Sequence, residues 1–447
     1  MILPSSKIKI KSIFKHSVVV NIIIVASITV FIKLVGFYKE MEIGQVFGLS
    51  EILDSFLIAT LLPGFVNNVF MVSFQNLFIP NYIIEQKEGG SEANFQTTSF
   101  LITSILSIVL IFIVYLVTDF FLEDFYKGHS ASYYKLIRTQ FYIILPCIIT
   151  WSNSYLLAGI LEIKGLFKYS SLYPLFTSII TILFLFFFKD KLGYYVLAYG
   201  LLLGSICEFI YLALVAFTNR LILIGKLDFS SPNICVVLKQ FPMKVGSGFL
   251  SGSTNFINQF YAAQLVIGSL ATFNYALKLP SFLIAILTIA IGNVILPYFT
   301  RVVMENKDKG YETLQKILIY IFSITSFVVI ILCFFSEFII STLFERDNFT
   351  HMDTLKVSKI QIILLVQVPF YISSIIIIKF LTSINKNVFM LYASIFNLVF
   401  SIIFNFLFVK YIGIYGVAIA TSLVVIVNFI LLFGMVLSQK KQYDKNN

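Results

Sequence analysis

The sequence predicts an all-α polytopic membrane protein, with about twelve transmembrane helices in two parallel six-helix lobes. Three observations predict it: the composition, the spacing of the apolar runs and an internal repeat. Of the 447 residues, 59% are hydrophobic and only 12% are charged, with mean hydropathy +0.94. Soluble domains sit near ~45–50% apolar and ~25% charged. Apolar runs fall at 17–37, 52–83, 96–121, 138–161, 170–188, 192–217, 240–267, 272–300, 314–341, 359–384, 388–409 and 413–437. Most reach the ~20 residues that a helix needs to cross a ~30 Å hydrocarbon core. The second, seventh and eighth are longer, so kinks or tilts are expected there.

The halves repeat. A shift of 217 lays LDSFLIATLLPGF (53–65) over LATFNYALKLPSF (270–282), matching Pro63 to Pro280. The overlay continues without a gap through Asn76/Asn293 and Pro80/Pro297. A shift of 223 pairs Pro146 with Pro369, and a shift of 220 pairs Gly193, Tyr195 and Ala198 with Gly413, Tyr415 and Ala418. Six spans per unit return the chain to its starting side, so the two lobes are expected to be parallel repeats about an axis along the membrane normal. The expected division is an N-lobe at 1–220, a polar cytoplasmic linker at 221–239 with Pro232, and a C-lobe at 240–447.

The elements are oriented by their flanking cations. With the N-terminus inside, twenty Lys and Arg fall in inner segments and ten in outer ones. That bias places both termini in the cytoplasm. The first run follows a basic segment, Lys7, Lys9, Lys11 and Lys15, with no small-residue cleavage site after it. It reads as a retained first span.

The net charge of +10 is scattered over loops, so topology explains it and a nucleic-acid partner is not expected. Cys147, Cys207, Cys235 and Cys333 lie far apart and read as small buried hydrophobes. His16, His129 and His351 make no metal pattern. No GxxxxGK[ST] loop is present, and no Ser/His/Asp set or long outer loop offers a catalytic site. No cofactor is expected, and the chain reads as a transporter rather than an enzyme.

The polar residues inside apolar runs carry the functional reading. A charge left in hydrocarbon costs roughly 2.5–3.5 kcal/mol on insertion scales, so such groups face protein or water. Lys33, Lys39, Glu40 and Asp54 form a first group, in which lysines suit an anionic headgroup and acids hold them in place. Snorkelling to the interface accounts for Lys39 and Glu40 equally well. Lys278, in NYALKLPSF, is the C-lobe counterpart and calls for a watery cavity or an anionic partner. Asn255 and Gln259 share a helix face, with Asn258 beside them. Those amides suit either sugar hydroxyls or interhelical bonding, and Asn67 and Asn68 read the same way. Pro63, Pro80, Pro280 and Pro297 are expected to kink their helices and are candidate hinges.

LVGFYKEMEIGQVFGLSEILDSFLIATLLPGF followed by LFIPNY resembles the start of the MurJ/MviN-type lipid II flippases, in the multidrug/oligosaccharidyl-lipid/polysaccharide exporter superfamily. The resemblance recurs at NYALKLPSF to ILPYF, STLFERDNFTHMDT and GIYGVAIATSLVVIVN, nearly the whole chain. It implies a V-shaped, MATE-like two-lobe fold that moves a polyprenyl-pyrophosphate-linked saccharide outward across the bacterial inner membrane. It also implies contact with membrane lipids and drive from the membrane potential or a coupling ion, H+ or Na+. Lys33 and Lys39 stand where the family usually has arginines, Glu40 replaces its acid, and Asp54 keeps the acid of its DAF-like motif. Lys278 stands at the arginine after YAD, with Leu277 in place of that Asp. Lysine keeps the charge but loses the bidentate fork. Asn67 and Asn68 replace two arginines, and twelve spans replace the usual fourteen. A flippase for another lipid-linked glycan, such as an O-antigen or capsule precursor, is the alternative. A drug/cation antiporter of the superfamily would want a cavity led by carboxylates, and a glycosyltransferase would want a catalytic loop.

Overall fold

A computed structural model describes residues 17–125 and 129–446. The basic segment Lys7–Lys15, His16 and Lys127 lie outside the described residues. The first half holds α1 (Ser17–Phe47), α2 (Glu51–Val66), α3 (Val72–Lys87), α4 (Glu92–Phe125), α5 (Ala131–Ile144), α6 (Cys147–Ile163), α7 (Phe167–Leu172), α8 (Pro174–Leu192) and α9 (Val196–Thr218). The second holds α10 (Pro232–Ala263), α11 (Ser269–Glu305), α12 (Lys307–Phe334), α13 (Ser336–Phe344), α14 (His351–Leu365), α15 (Gln367–Ser383), α16 (Val388–Ile412) and α17 (Ile414–Asn446). Nine segments among the described residues are long and apolar enough to cross a membrane, and one of them, Phe167–Thr218, holds α7, α8 and α9. In hydrocarbon every backbone group must be satisfied internally, which is why such runs fold as helices.

Several apolar runs are broken, and three of the breaks bear on the site. Run 138–161 is divided between α5 and α6 at Pro146, which has no N–H to continue the ladder. Run 314–341 ends early, at Phe334, and continues as the short α13. Run 52–83 is interrupted by a π-helical turn, Asn67–Met71, one helical turn after Pro63. There the Asn67 N–H reaches back to the carbonyls of both Pro63 and Gly64. An extra residue in a helical turn rotates the downstream helical faces by roughly 100°.

Contacts group the chain into two compact units. The first contains the described part of Met1–Glu40 with Met71–Ile111 and Pro146–Phe241; the second contains Met41–Phe70, Phe112–Leu145 and Pro242–Asn447. In the first unit Phe74, Phe78, Tyr82 and Phe95 pack with Leu156, Ile160, Ile234 and Val237. In the second, Phe299, Tyr311 and Phe380 anchor a core with Ile376, Ile377 and Leu432. Wide apolar faces stay exposed, including Phe186 and Phe187 on α8, Phe327 and Ile330 on α12 and Phe406 on α16. A soluble protein would bury such faces, whereas a membrane protein turns them to lipid.

The stretch between α9 and α10 is a strap. Gln96 donates to the Leu221 carbonyl and accepts from Leu223 N–H, at 3.1 and 3.0 Å. Gly225, Lys226 and Asp228 N–H groups donate to Thr97, Asn94 and Thr98 on the same opening turns of α4, at 2.8, 2.9 and 2.9 Å. The strap's backbone thus finds side-chain partners where it has no ladder of its own. At its end Glu85 accepts from Asn233 at 2.7 Å, beside the Pro232 that opens α10. Of the four cysteines only Cys147 is buried; Cys207, Cys235 and Cys333 are half-buried, against the expectation from sequence.

Candidate functional site

In the first unit, α1 carries the predicted cations. Lys33 is exposed among the exposed apolar residues Val30, Phe31, Leu34 and Tyr38. Two turns on, Lys39 Nζ lies 3.0 Å from Glu40 Oε1, and each side chain retains 22% exposure. An ion pair so shielded from water is held more firmly than a surface pair, which contributes ~0–1 kcal/mol.

A carboxylate absent from the sequence-based candidates stands behind this pair. Glu208 is buried at the middle of α9 and accepts a hydrogen bond from the Thr177 hydroxyl on α8. Helices α8 and α9 approach closely because Gly204 has no side chain: a Cβ there would meet Thr177 Cα at 2.7 Å. Helix α1 runs beside α8 here, since a Cβ on Gly36 would lie 3.8 Å from Ser178 Oγ, next to Thr177, and Lys39 follows Gly36 by one turn. The available signal was that Glu208 is the only charge between Lys191 and Arg220, in an otherwise apolar span.

In the second unit, Asp54 has a distinct arrangement. It lies in the first turn of α2, 3% exposed, and accepts from Gly268 N–H at 2.5 Å and Ala271 N–H at 2.7 Å. Those amides open α11, where helix N-termini leave N–H groups unpaired and favour an anion. Gly268 is required here: its φ is +88°, and a Cβ would press on the Leu49 carbonyl at 2.7 Å. Around this latch Gln45 donates to Asp347 at 2.7 Å, and Asn348 donates from its side chain to the Val46 carbonyl at 2.7 Å. Gln140 on α5 donates to Ser55 at 2.8 Å. The ends of α1, α2, α5 and α11 and the loop before α14 are thereby tied into one polar seam. Both Asp54 carboxylate oxygens are engaged by backbone amides.

The remaining predicted residues divide by burial. The π-turn buries Asn67 and leaves Asn68 exposed. Lys278 is half-buried on α11, two residues before the buried Pro280. Pro63 is also buried, whereas Pro80 and Pro297 are exposed, and all four lie inside helices. On α10, Asn255 is exposed and Gln259 half-buried. Their neighbour Asn258 is buried and accepts from Asn405 at 2.8 Å and Ser401 at 3.2 Å on α16. For Asn258 the interhelical role is the one observed. Among the described residues no group of three or more His, Cys, Asp or Glu could hold a metal ion. What these residues offer chemically is ammonium groups on apolar helices, one of them paired with an acid.

Comparison with known proteins adds the context. A family model described as "Lipid II flippase MurJ" matches residues 43–447, a range that starts after Lys33, Lys39 and Glu40. A protein of Buchnera aphidicola subsp. Schizaphis graminum named "Probable lipid II flippase MurJ" is 26% identical over 428 residues, covering 92% of this chain and 82% of its own length. A protein of Aquifex aeolicus with the same name is 26% identical over 365 residues, covering 80% and 70%. Among solved structures, "Lipid II flippase MurJ, inward closed conformation" superposes with TM-score 0.80 at 24% identity, covering 93% of this chain and 87% of that one. An inward-facing multidrug resistance MATE family transporter of the MOP superfamily gives TM-score 0.77 at 17% identity, covering 95% and 99%. The two structures speak for a shared fold.

Proposed function

The chain belongs to the lipid II flippase MurJ family, and we propose that it carries a polyprenyl-pyrophosphate-linked saccharide, the lipid II-like precursor of peptidoglycan, from the cytoplasmic to the outer leaflet of the bacterial inner membrane. The observation that carries this reading is the family match across residues 43–447. Transport proceeds by alternating access between an N-lobe at 1–220 and a C-lobe at 240–447, joined at 221–239. Both termini face the cytoplasm, as the twenty-to-ten excess of inner cations argues.

Lys33, Lys39 and Lys278 attract the pyrophosphate, whose charge would otherwise oppose entry into an apolar path. Glu40 holds Lys39 in place, and Asn67, Asn68, Asn255 and Gln259 offer amides to the saccharide. Pro63, Pro80, Pro280 and Pro297 serve as the flexing points. Membrane potential or an H+ or Na+ gradient supplies the direction. The work is binding and release, with no covalent step and no cofactor. In cells depleted of the native protein, wild-type chain restores growth and clears the precursor accumulating inside. Lys33→Ala and Lys278→Ala are expected to fail at equal expression; full complementation by both would remove the cationic path from the account.

A further inference from the structure

We propose that Glu208 is a proton-binding site whose occupancy sets the affinity of the headgroup site through Lys39; the inference rests on the flippase reading above. Its basis is placement. Glu208 lies halfway along the 23-residue α9, 5% exposed, with the Thr177 hydroxyl as its hydrogen-bond donor. A hydroxyl satisfies a carboxylate, and after protonation the same pair still bonds with one partner donating and the other accepting. The contact therefore survives both protonation states, unlike a salt bridge, which would be lost.

The charged and titratable surroundings are few. On α1, Lys39 lies one turn beyond Gly36, whose Cβ would meet Ser178 Oγ beside Thr177 at 3.8 Å, and it is paired with Glu40 at 3.0 Å. From α6 and the turn before α8, Cys147 and Tyr173 face the same carboxylate. On α7, Lys168 is held over the Tyr169 ring, 5.9 Å from its centroid. Lys39 thus has two acids, Glu40 and Glu208, set against one ammonium. With both ionised the trio carries one net negative charge and repels a pyrophosphate. A proton on Glu208 brings the trio to neutrality and leaves the Lys39 charge balanced by Glu40 alone. Proton and headgroup then bind with positive cooperativity, and by linkage each raises the affinity of the other. Burial sharpens the effect, because water screens little inside apolar helices.

The test measures binding of polyprenyl-pyrophosphoryl-N-acetylglucosamine to the full chain in nanodiscs as a function of pH. This probe is a pyrophosphate diester with no proton of its own to lose in the range used. Wild-type affinity is expected to rise on the order of tenfold as pH falls, within the usual span of site-to-site coupling. Glu208→Gln, which keeps a partner for Thr177, is expected to bind at the tight, low-pH level at every pH. Lys39→Met is expected to bind more weakly than wild type at every pH, because two acids then stand without their ammonium. A Glu208→Gln protein that keeps the wild-type pH profile overturns the proposal, as does a flat wild-type profile. No binding by wild type at any pH counts against the flippase reading itself. In that event, or should the variant not fold, infrared difference spectra of wild type carrying labelled glutamate decide. A protonated-carboxyl band that grows on acidification and is perturbed in Thr177→Val supports the site, and its absence at all pH values overturns it.

Discussion

Asp54 and Glu208 are buried to nearly the same degree, 3% and 5% exposed, on helices of similar apolar character, yet their surroundings differ in kind. Asp54 meets two backbone amides at the start of α11, donors fixed in place by the fold. Glu208 meets one hydroxyl that can turn, and a lysine shared with another acid. Backbone amides at a helix N-terminus cannot give way when a carboxylate gains a proton, so Asp54 ties two helices together mechanically. A hydroxyl and a shared ammonium tolerate either state, so Glu208 is placed to change charge without disturbing its helix. Equal burial thus covers different partners, fixed amides at Asp54 and a turning hydroxyl at Glu208.

That contrast breaks most readily at Asp54. Asp54→Ala leaves two buried amides unmet and is expected to cost about 3 kcal/mol, read as a lower thermal midpoint in detergent and failed complementation. Asp54→Asn, with one acceptor oxygen, should recover part of the loss; a wild-type melt for Asp54→Ala would show that the latch contributes nothing. Asn258→Leu removes two acceptor contacts between α10 and α16 and is expected to cost ~0.6–1.7 kcal/mol, the range for interhelical bonds in membranes. Glu208→Gln should fall lower still, within ~0.5 kcal/mol of wild type in the same melts, since Thr177 keeps an acceptor. A large loss there would move Glu208 into the same class as Asp54.

The smallest effect is expected outside the membrane. Hydrogen bonds from Thr354 and His351 hold the Glu345 carboxyl below the usual glutamate range. A group with a depressed native value stabilises the fold above its unfolded value and loses that contribution as pH falls through the native one. Melts of wild type and Glu345→Gln should therefore differ slightly near neutrality and converge in acid. A gap that widens on acidification would refute the assignment.

Much of the fold was legible because hydrocarbon leaves the backbone few options. Apolar runs of crossing length had to be helical. What escaped was geometry that depends on a distant partner. Asp54 reads as an acid beside lysines, because nothing in its neighbourhood announces amides of residues 268 and 271. The strap reads as polar but not as bonded to Asn94, Gln96, Thr97 and Thr98. Pro63 forecasts a kink, whereas the π-turn that separates buried Asn67 from exposed Asn68 depends on how the ladder closes around it. Glu208 is visible as a lone charge in an apolar span, yet Lys39 and Thr177 beside it are a matter of tertiary packing.

The most direct test of the account is transfer of a labelled polyprenyl-pyrophosphate saccharide across sealed vesicles holding the purified chain. Protein-dependent appearance of the label on the opposite leaflet, lost in Lys33→Ala and Lys278→Ala, is the result predicted. Vesicles in which the label crosses no faster than in protein-free controls, or crosses equally well with both lysines removed, would contradict it.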